Sequence, residues 1–203
     1  MPEDKGADLS RRAVIASAAI IPVAALTAAA QSTAAPPSAL SDAQLRLVAA
    51  FVDRIIPKDE LGPGASESGV PEYINRSLGD YLAGEKAAFI EGLESTDAFA
   101  RRSQDRPFVE LPSDKQDAVL TSMESGSAEG FPNARAFFNR ARRLTLEGMF
   151  GDPYYGGNKN FAGWDLIRYP GPRLATSADD QKMGVEIKPY HHSAYGSGDT
   201  HGH

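Results

Sequence analysis

The chain has 203 residues, of which 41% are hydrophobic and 24% charged, values typical of one globular domain with additional segments at its ends. Its formal net charge of −6 repels phosphate backbones, so no nucleic-acid partner is predicted. The absence of cysteine excludes disulfides, zinc–thiolate sites and CxxCH haem attachment within this chain.

Residues 1–30 are predicted to be an export signal. Ser10, Arg11 and Arg12 precede an uncharged run over residues 13–30, which is the order of a basic region and an apolar stretch in a signal peptide. The paired arginines after a serine resemble the twin-arginine motif. That pathway carries folded proteins, often with a cofactor inserted, whereas a general secretory signal is the alternative.

The end of this segment resembles a cleavage site. Ala28 and Ala30 supply the small residues that such a site requires, which predicts a mature chain beginning at Gln31. A transmembrane anchor would need about 20 strongly apolar residues, and this run is shorter and rich in alanine. Pro22 disfavours a buried helix. The segment therefore predicts a periplasmic protein exported by the twin-arginine translocase.

A helical domain is predicted to follow the Pro/Ala/Ser-rich linker at residues 31–40. Ser41 and Gln44 have the spacing of a capping box. Apolar residues recur at helical spacing after them and predict a helix over 42–56, which Pro57 ends.

Further helices are predicted after a glycine-rich loop. Pro71 opens an amphipathic segment whose apolar stripe extends to Tyr81 and beyond. A third helix is predicted over roughly 85–103. Ser113 and Gln116 form a second candidate capping box, which would begin a fourth helix.

The longest predicted helix covers roughly 133–149. Arginines occupy its outer faces, with Arg143 and Glu147 spaced as an ion pair. The side chains predicted to point inward are Phe137, Phe138, Ala141, Leu144, Thr145 and Met149.

The helical period disappears after Gly148, and no convincing alternating strand pattern occurs anywhere in the chain. The predicted fold class is therefore mainly α, a small helical bundle with a long irregular C-terminal arm. The helical domain is assigned to residues 41–173, and residues 174–203 are expected to form an extended, partly disordered tail.

The sequence offers few candidates for chemistry. No helix carries a Glu-x-x-His pair and no Gly-x-Ser-x-Gly elbow occurs, so neither a di-iron site nor a hydrolase triad is predicted. The histidines cluster near the C-terminus, where a metal site is conceivable but a flexible polar tail is the favoured interpretation. They are His191, His192, His201 and His203. We predict no catalytic residue, no metal and no cofactor in this chain.

The segment "GMFGDPYYGGNKNFAGWDLIRYPG" at 148–171 contains more large aromatic side chains than is typical of a solvated loop. Two interpretations stay open: the rings anchor a partner, or they cover the helices of this chain. Its glycines allow tight turns, and its Asp and Asn side chains can hold them. The predicted partner-interface residues are Phe150, Tyr154, Tyr155, Phe161, Trp164 and Asp165.

Two stretches, "IIPKDELGPGASESGVPEYINRSL" (55–78) and "LEGMFGDPYYGGNKNFAGWDLIRYPG" (146–171), together with the twin-arginine leader, resemble the gluconate 2-dehydrogenase subunit 3 family. The resemblance covers most of 41–173. It implies a small subunit of a bacterial periplasmic, flavin-dependent sugar or polyol dehydrogenase.

In that family, catalysis belongs to a separate FAD-binding large subunit of the glucose-methanol-choline type. Electrons commonly pass from it to a multihaem cytochrome c subunit. The resemblance implies that the small subunit stabilises the flavoprotein and escorts it, already folded, through twin-arginine export. The family assigns no catalytic residue to this subunit.

A stand-alone periplasmic carbohydrate-binding protein is the alternative hypothesis. Aromatic rings beside Asp and Asn side chains also suit sugar stacking, so composition alone does not separate the two. Ligand-induced stabilisation of the isolated chain would favour this alternative.

Overall fold

A computed structural model describes residues 38–173 and 175–196 of the chain. The predicted signal residues Ser10, Arg11, Arg12, Ala28 and Ala30 lie outside this part, as do His201 and His203. The α-helices of the described part are α1 (Asp42–Ile55), α2 (Val70–Gly79), α3 (Lys86–Gln104), α4 (Ser113–Ser125), α5 (Ala134–Phe150) and α6 (Ala162–Leu166). No strand occurs among these residues, and the predicted mainly α fold is confirmed.

Aromatic side chains from α1 and α5 form the centre of the core. Phe51 is 1% exposed, and its ring centroid lies 6.2 Å from that of Phe137 and 6.0 Å from that of Phe138. Phe108, from the 3₁₀ turn Phe108–Glu110 between α3 and α4, lies 6.4 Å from Phe51 on another side. One phenylalanine therefore joins α1, α5 and the α3–α4 connection, and large rings supply much of the apolar area buried on folding.

The periodicity of α5 is confirmed by burial. All of the predicted inward-facing residues are buried, whereas Arg142 and Arg143 are exposed. Thr145 is fully buried, and its hydroxyl donates to the carbonyl oxygen of Ala141 at 2.8 Å, which satisfies the polar group inside the helix. The predicted Arg143–Glu147 ion pair forms, with 2.8 Å between Nε and Oε1.

One of the two predicted capping boxes is correct. The Ser41 hydroxyl accepts from the Gln44 amide, and the Gln44 side chain accepts from the Ser41 amide. The Ser113 prediction is wrong, because Pro112 is the N-cap of α4 and no side chain caps that helix. Gln116 instead donates to the buried carbonyl oxygen of Phe108 at 3.0 Å, so tertiary packing takes the amide that a capping box would use.

The stripe predicted for the second helix is too long at its C-terminal end. α2 ends at Gly79, and Tyr81 is 61% exposed rather than part of the core. Its hydroxyl lies 2.9 Å from that of Tyr73, which is buried. Tyr81 therefore contacts the core through its hydroxyl while its ring stays exposed. Helical spacing alone predicts that a residue lies on the core side but not whether its ring is buried.

The loop between α1 and α2 is fixed to the C-terminal end of α1. Asp53 accepts hydrogen bonds from the amide and the hydroxyl of Ser66, at 2.8 and 2.6 Å. The amide of Ala65 donates to the carbonyl oxygen of Ile56 at 2.9 Å. These bonds hold the base of the loop, so the tip at Leu61 has a defined position.

Gly92 allows α3 to approach α5 closely, and replacing it should weaken this contact. A Cβ at position 92 would collide with the Phe137 ring. Alanine favours a helix over glycine by about 1 kcal/mol, but overpacking costs about 1–3 kcal/mol. Because the added Cβ would overlap a buried ring, we expect the cost to exceed the gain and Gly92→Ala to lower the free energy of unfolding by up to about 2 kcal/mol, measured by urea denaturation.

Gly84→Ala is the matched control, because Gly84 is exposed and a Cβ there would meet no atom within 4 Å. We expect its stability to stay within about 0.5 kcal/mol of the wild type. Equal stabilities for the two variants would contradict the assigned close contact.

Candidate functional site

The aromatic segment 148–171 folds as a series of short turns against the end of α5. It contains the 3₁₀ turns Pro153–Tyr155 and Lys159–Phe161 and the short helix α6. The Asp152 carboxylate accepts from the amide of Tyr154 at 2.9 Å and so caps the first turn. This confirms the expected role of an acidic side chain in holding the loop.

Asn158 ties the segment together from inside. It is fully buried, and its Nδ2 donates to the carbonyl oxygen of Gly151 at 2.9 Å. Its Oδ1 accepts from the amide of Gly163 at 2.8 Å. One side-chain amide therefore satisfies both ends of the loop, which would otherwise leave two polar backbone groups unpaired.

The backbone here adopts left-handed conformations at residues other than glycine. Asn158, Asn160 and Phe161 have φ values of 48°, 55° and 61°. Asparagine tolerates this region, but a side chain such as phenylalanine pays about 1–2 kcal/mol for it. The surrounding contacts must offset that cost, as is common where a loop presents a fixed surface.

The predicted interface residues divide into internal and surface positions. Trp164 is only 4% exposed, and its Nε1 donates to the carbonyl oxygen of Phe150 at 3.0 Å. Phe150 and Phe161 are partly buried, while Tyr155 is 43% exposed. The structure thus gives Trp164 an internal packing role, and Tyr155 presents the largest exposed fraction of the predicted rings.

The described part of the C-terminal tail folds back onto this segment. The His191 ring stacks on Phe161 with 4.8 Å between centroids and a 5° interplanar angle. His191 Nε2 lies 2.7 Å from Asp165 Oδ1 in a hydrogen bond. The Ala194 amide donates to the second carboxylate oxygen of Asp152 at 2.8 Å. His191 therefore contacts the aromatic segment through a ring contact and a hydrogen bond, while its side chain stays 40% exposed.

A tyrosine cluster, Tyr154, Tyr155 and Tyr195, covers the outside of the first turn. The Tyr195 ring lies 4.9 Å from Tyr154 and 5.7 Å from Tyr155, centroid to centroid. A hydrogen bond with Tyr195 raises the pKa of the Tyr155 hydroxyl. Tyr155 therefore stays neutral at physiological pH and offers an uncharged hydroxyl at this surface.

The sequence did not predict that the tail residues His191 and Tyr195 contact the aromatic segment. Their contacts join positions more than 20 residues apart, so no local period marks them. The available signal was the concentration of rings in "PYHHSAY", residues 189–195, which matches the aromatic character of the loop.

The shape of the aromatic segment is set by its turns and by the hydrogen bonds of the buried Asn158. Among residues 38–173 and 175–196, no three His, Asp or Glu side chains come together to hold a metal ion. Within the same residues, no helix is both long and apolar enough to cross a membrane.

A family model described as gluconate 2-dehydrogenase subunit 3 matches residues 42–171, more than half of the chain. The chain belongs to this family. Searches of curated proteins and of solved structures found no match. Membership in the subunit 3 family supports a role as an accessory subunit of a dehydrogenase complex.

The family match includes the whole aromatic segment and stops before the tail. It begins at the first residue of α1 and ends at Gly171, beyond α6. The tail that carries His191 and Tyr195 therefore lies outside the part of subunit 3 that the family model describes. The residues that contact the tail lie inside the matched range; they are Asp152, Phe161 and Asp165.

Removing the Asn158 side chain should loosen the segment. Asn158→Ala leaves the Gly151 carbonyl and the Gly163 amide without their partner, so we expect a loss of about 2–4 kcal/mol in the free energy of unfolding. Denaturant titration followed by tryptophan fluorescence would measure it, because Trp164 is the chain's single tryptophan and lies in this segment.

Asn160→Ala provides the comparison. Asn160 has a similar φ of 55° but is exposed and has no side-chain hydrogen bond among the described residues. Its substitution isolates the left-handed backbone cost, about 1 kcal/mol. The assignment fails if both substitutions destabilise the protein equally.

Proposed function

We propose that this chain is the non-catalytic small subunit of a periplasmic FAD-dependent sugar or polyol dehydrogenase. It stabilises a glucose-methanol-choline-type flavoprotein subunit and escorts it, folded and loaded with FAD, through the twin-arginine translocase. The match of the subunit 3 family over residues 42–171 is the observation that carries this proposal.

The escort role adds an inference from the sequence, the export signal, to that observation. Arg11 and Arg12 supply the twin-arginine signal, which would serve both subunits if the flavoprotein lacks one of its own. The FAD cofactor belongs to the partner, and a multihaem cytochrome c is proposed as the electron acceptor. The complex is placed in the periplasm, where the cytochrome would associate it with the membrane.

The exposed part of the tyrosine cluster is consistent with an interface role. Tyrosine combines a broad apolar ring with a polar tip and is enriched at interfaces. Tyr155 and Tyr195 are 43% and 62% exposed and stand together on one surface. The predicted interface therefore keeps Tyr155 as its most accessible anchor.

Affinity purification from periplasm tests the proposal. The tagged full-length chain should recover a flavoprotein of roughly 60 kDa, the size implied by the family resemblance, with the absorbance bands of oxidised flavin in the eluate. A colourless, stable chain without a partner would contradict it. Stabilisation of that isolated chain by sugars would then favour the alternative of a carbohydrate-binding protein.

Substituting both signal arginines should stop export of the pair. In Arg11→Lys/Arg12→Lys the charge is kept but the motif is lost, so we expect the chain and the flavoprotein activity to disappear from the periplasmic fraction. Fractionation with immunoblotting and a dye-reduction assay would measure both.

Arg142→Lys/Arg143→Lys is the matched control, because it makes the same change at an exposed arginine pair on α5. Periplasmic levels should equal those of the wild type. Normal export of the Arg11→Lys/Arg12→Lys variant would refute the escort role while leaving subunit membership intact.

A further inference from the structure

An apolar groove lies where the ends of three segments meet, apart from the tyrosine cluster. Its volume is ≈ 280 Å³, just below the range of about 300–1,000 Å³ that is typical of small-molecule sites. Its walls come from the end of α1 and the following loop, the end of α5, and α6. The apolar residues that line it include Ile55, Ile56, Leu61, Leu146, Phe150 and Leu166.

The groove combines a packed floor with an exposed rim. Ile55, Ile56, Phe150 and Leu166 are partly buried and pack against the core. Leu61 is 73% exposed. The floor is therefore continuous with the core, while a large aliphatic side chain at its edge is in contact with water.

Leu61 is held in this exposed position by its turn. Its amide donates to Asp59 Oδ1 at 2.8 Å, and the amide of Asp59 donates to the carbonyl oxygen of Gly62 at 3.2 Å. The base of the loop is fixed to α1 by the Asp53–Ser66 bonds. A leucine held out of the core by a turn of this kind leaves its apolar side chain in water unless a partner covers it.

We propose that this groove is the docking site for the dehydrogenase's flavoprotein subunit, which inserts apolar side chains against Leu61 and Leu146. The inference rests on the proposed function and identifies the surface through which it operates. Phe150, one of the residues predicted from sequence to form the interface, lines the groove.

The charge pattern favours an apolar partner surface. The chain carries a net charge of −6, yet Asp59 is the single charged residue among those lining the groove. The Asp59 carboxylate is turned onto the Leu61 amide. Depletion of charge at an apolar centre is the compositional mark of an interface core, and permanent complexes are the most apolar.

The position of the groove favours a partner common to the family. All of its lining residues lie within the matched range 42–171. A subunit of a dehydrogenase complex must bury a surface against another subunit, and this groove belongs to the part that defines the family. The tail contacts, in contrast, lie partly outside that range.

Leu61→Asp and Leu146→Asp test the groove in the full-length chain co-expressed with its flavoprotein. A charge placed in an apolar interface core loses its hydration without gaining a partner, so we expect each variant to bind the flavoprotein at least about tenfold more weakly. Affinity can be measured by titrating purified flavoprotein against immobilised chain.

Two measurements separate lost docking from lost folding. Val109→Asp makes the same type of change at a 43% exposed aliphatic residue that lines a different depression, and it should keep wild-type affinity. The melting temperature of Leu61→Asp should stay near that of the wild type, because Leu61 is mostly solvated already.

The outcomes distinguish this inference from the proposed function. If the wild type binds a flavoprotein and both groove variants bind it equally well, the groove inference is overturned and the function stands. If the groove variants instead abolish self-association without changing flavoprotein binding, a second copy occupies the groove and the inference is again overturned. If the wild type binds no flavoprotein, both fail.

Discussion

The close approach of glycines from neighbouring segments to α5 is the constraint on which the rest of the structure depends. Gly92 on α3 meets the Phe137 ring, and Gly157 and Gly163 bring the aromatic segment against the carbonyl oxygens of Gly148 and Met149. These approaches leave no room for a Cβ, so the neighbours of α5 have defined positions along it. Phe51 packs against Phe137 and Phe138 of the same helix and fixes α1 to it.

The aromatic segment gains its shape from internal bonds rather than from a regular element. Asn158 joins its two ends, and Trp164 fastens α6 to the last residue of α5. These contacts offset the left-handed backbone at Asn160 and Phe161. Much of the ring area in the segment therefore stabilises this chain, which leaves Tyr155 and the groove beside Leu61 as the surfaces that we propose another subunit covers.

Helix positions and the inner face of α5 could be predicted because they follow from local periodicity and from Pro57 and Pro71. The family could be recognised because its motif residues are contiguous in 146–171. The cap at Ser113 was predicted wrongly because the Gln116 side chain bonds to Phe108, in the 3₁₀ turn before α4, instead of to the helix start. Spacing alone does not reveal such competition.

The candidate surfaces were harder to predict, for two different reasons. Trp164 is a large ring in a polar loop, and composition does not show whether such a ring faces inward. The groove combines Leu61, Leu146 and Leu166, which are far apart in sequence and ordinary in type. Only the tertiary arrangement shows that an exposed leucine stands over a partly buried apolar floor.

The return of the tail to the aromatic segment also sets an order of events during synthesis. His191 contacts Asp165 and Ala194 contacts Asp152, so each bond waits for a residue made 26 or 42 positions later. Domains form from the N-terminal side as the chain emerges. The helices can therefore pack while Phe161 is still uncovered, and stacking of His191 on that ring can follow only after the tail has been made.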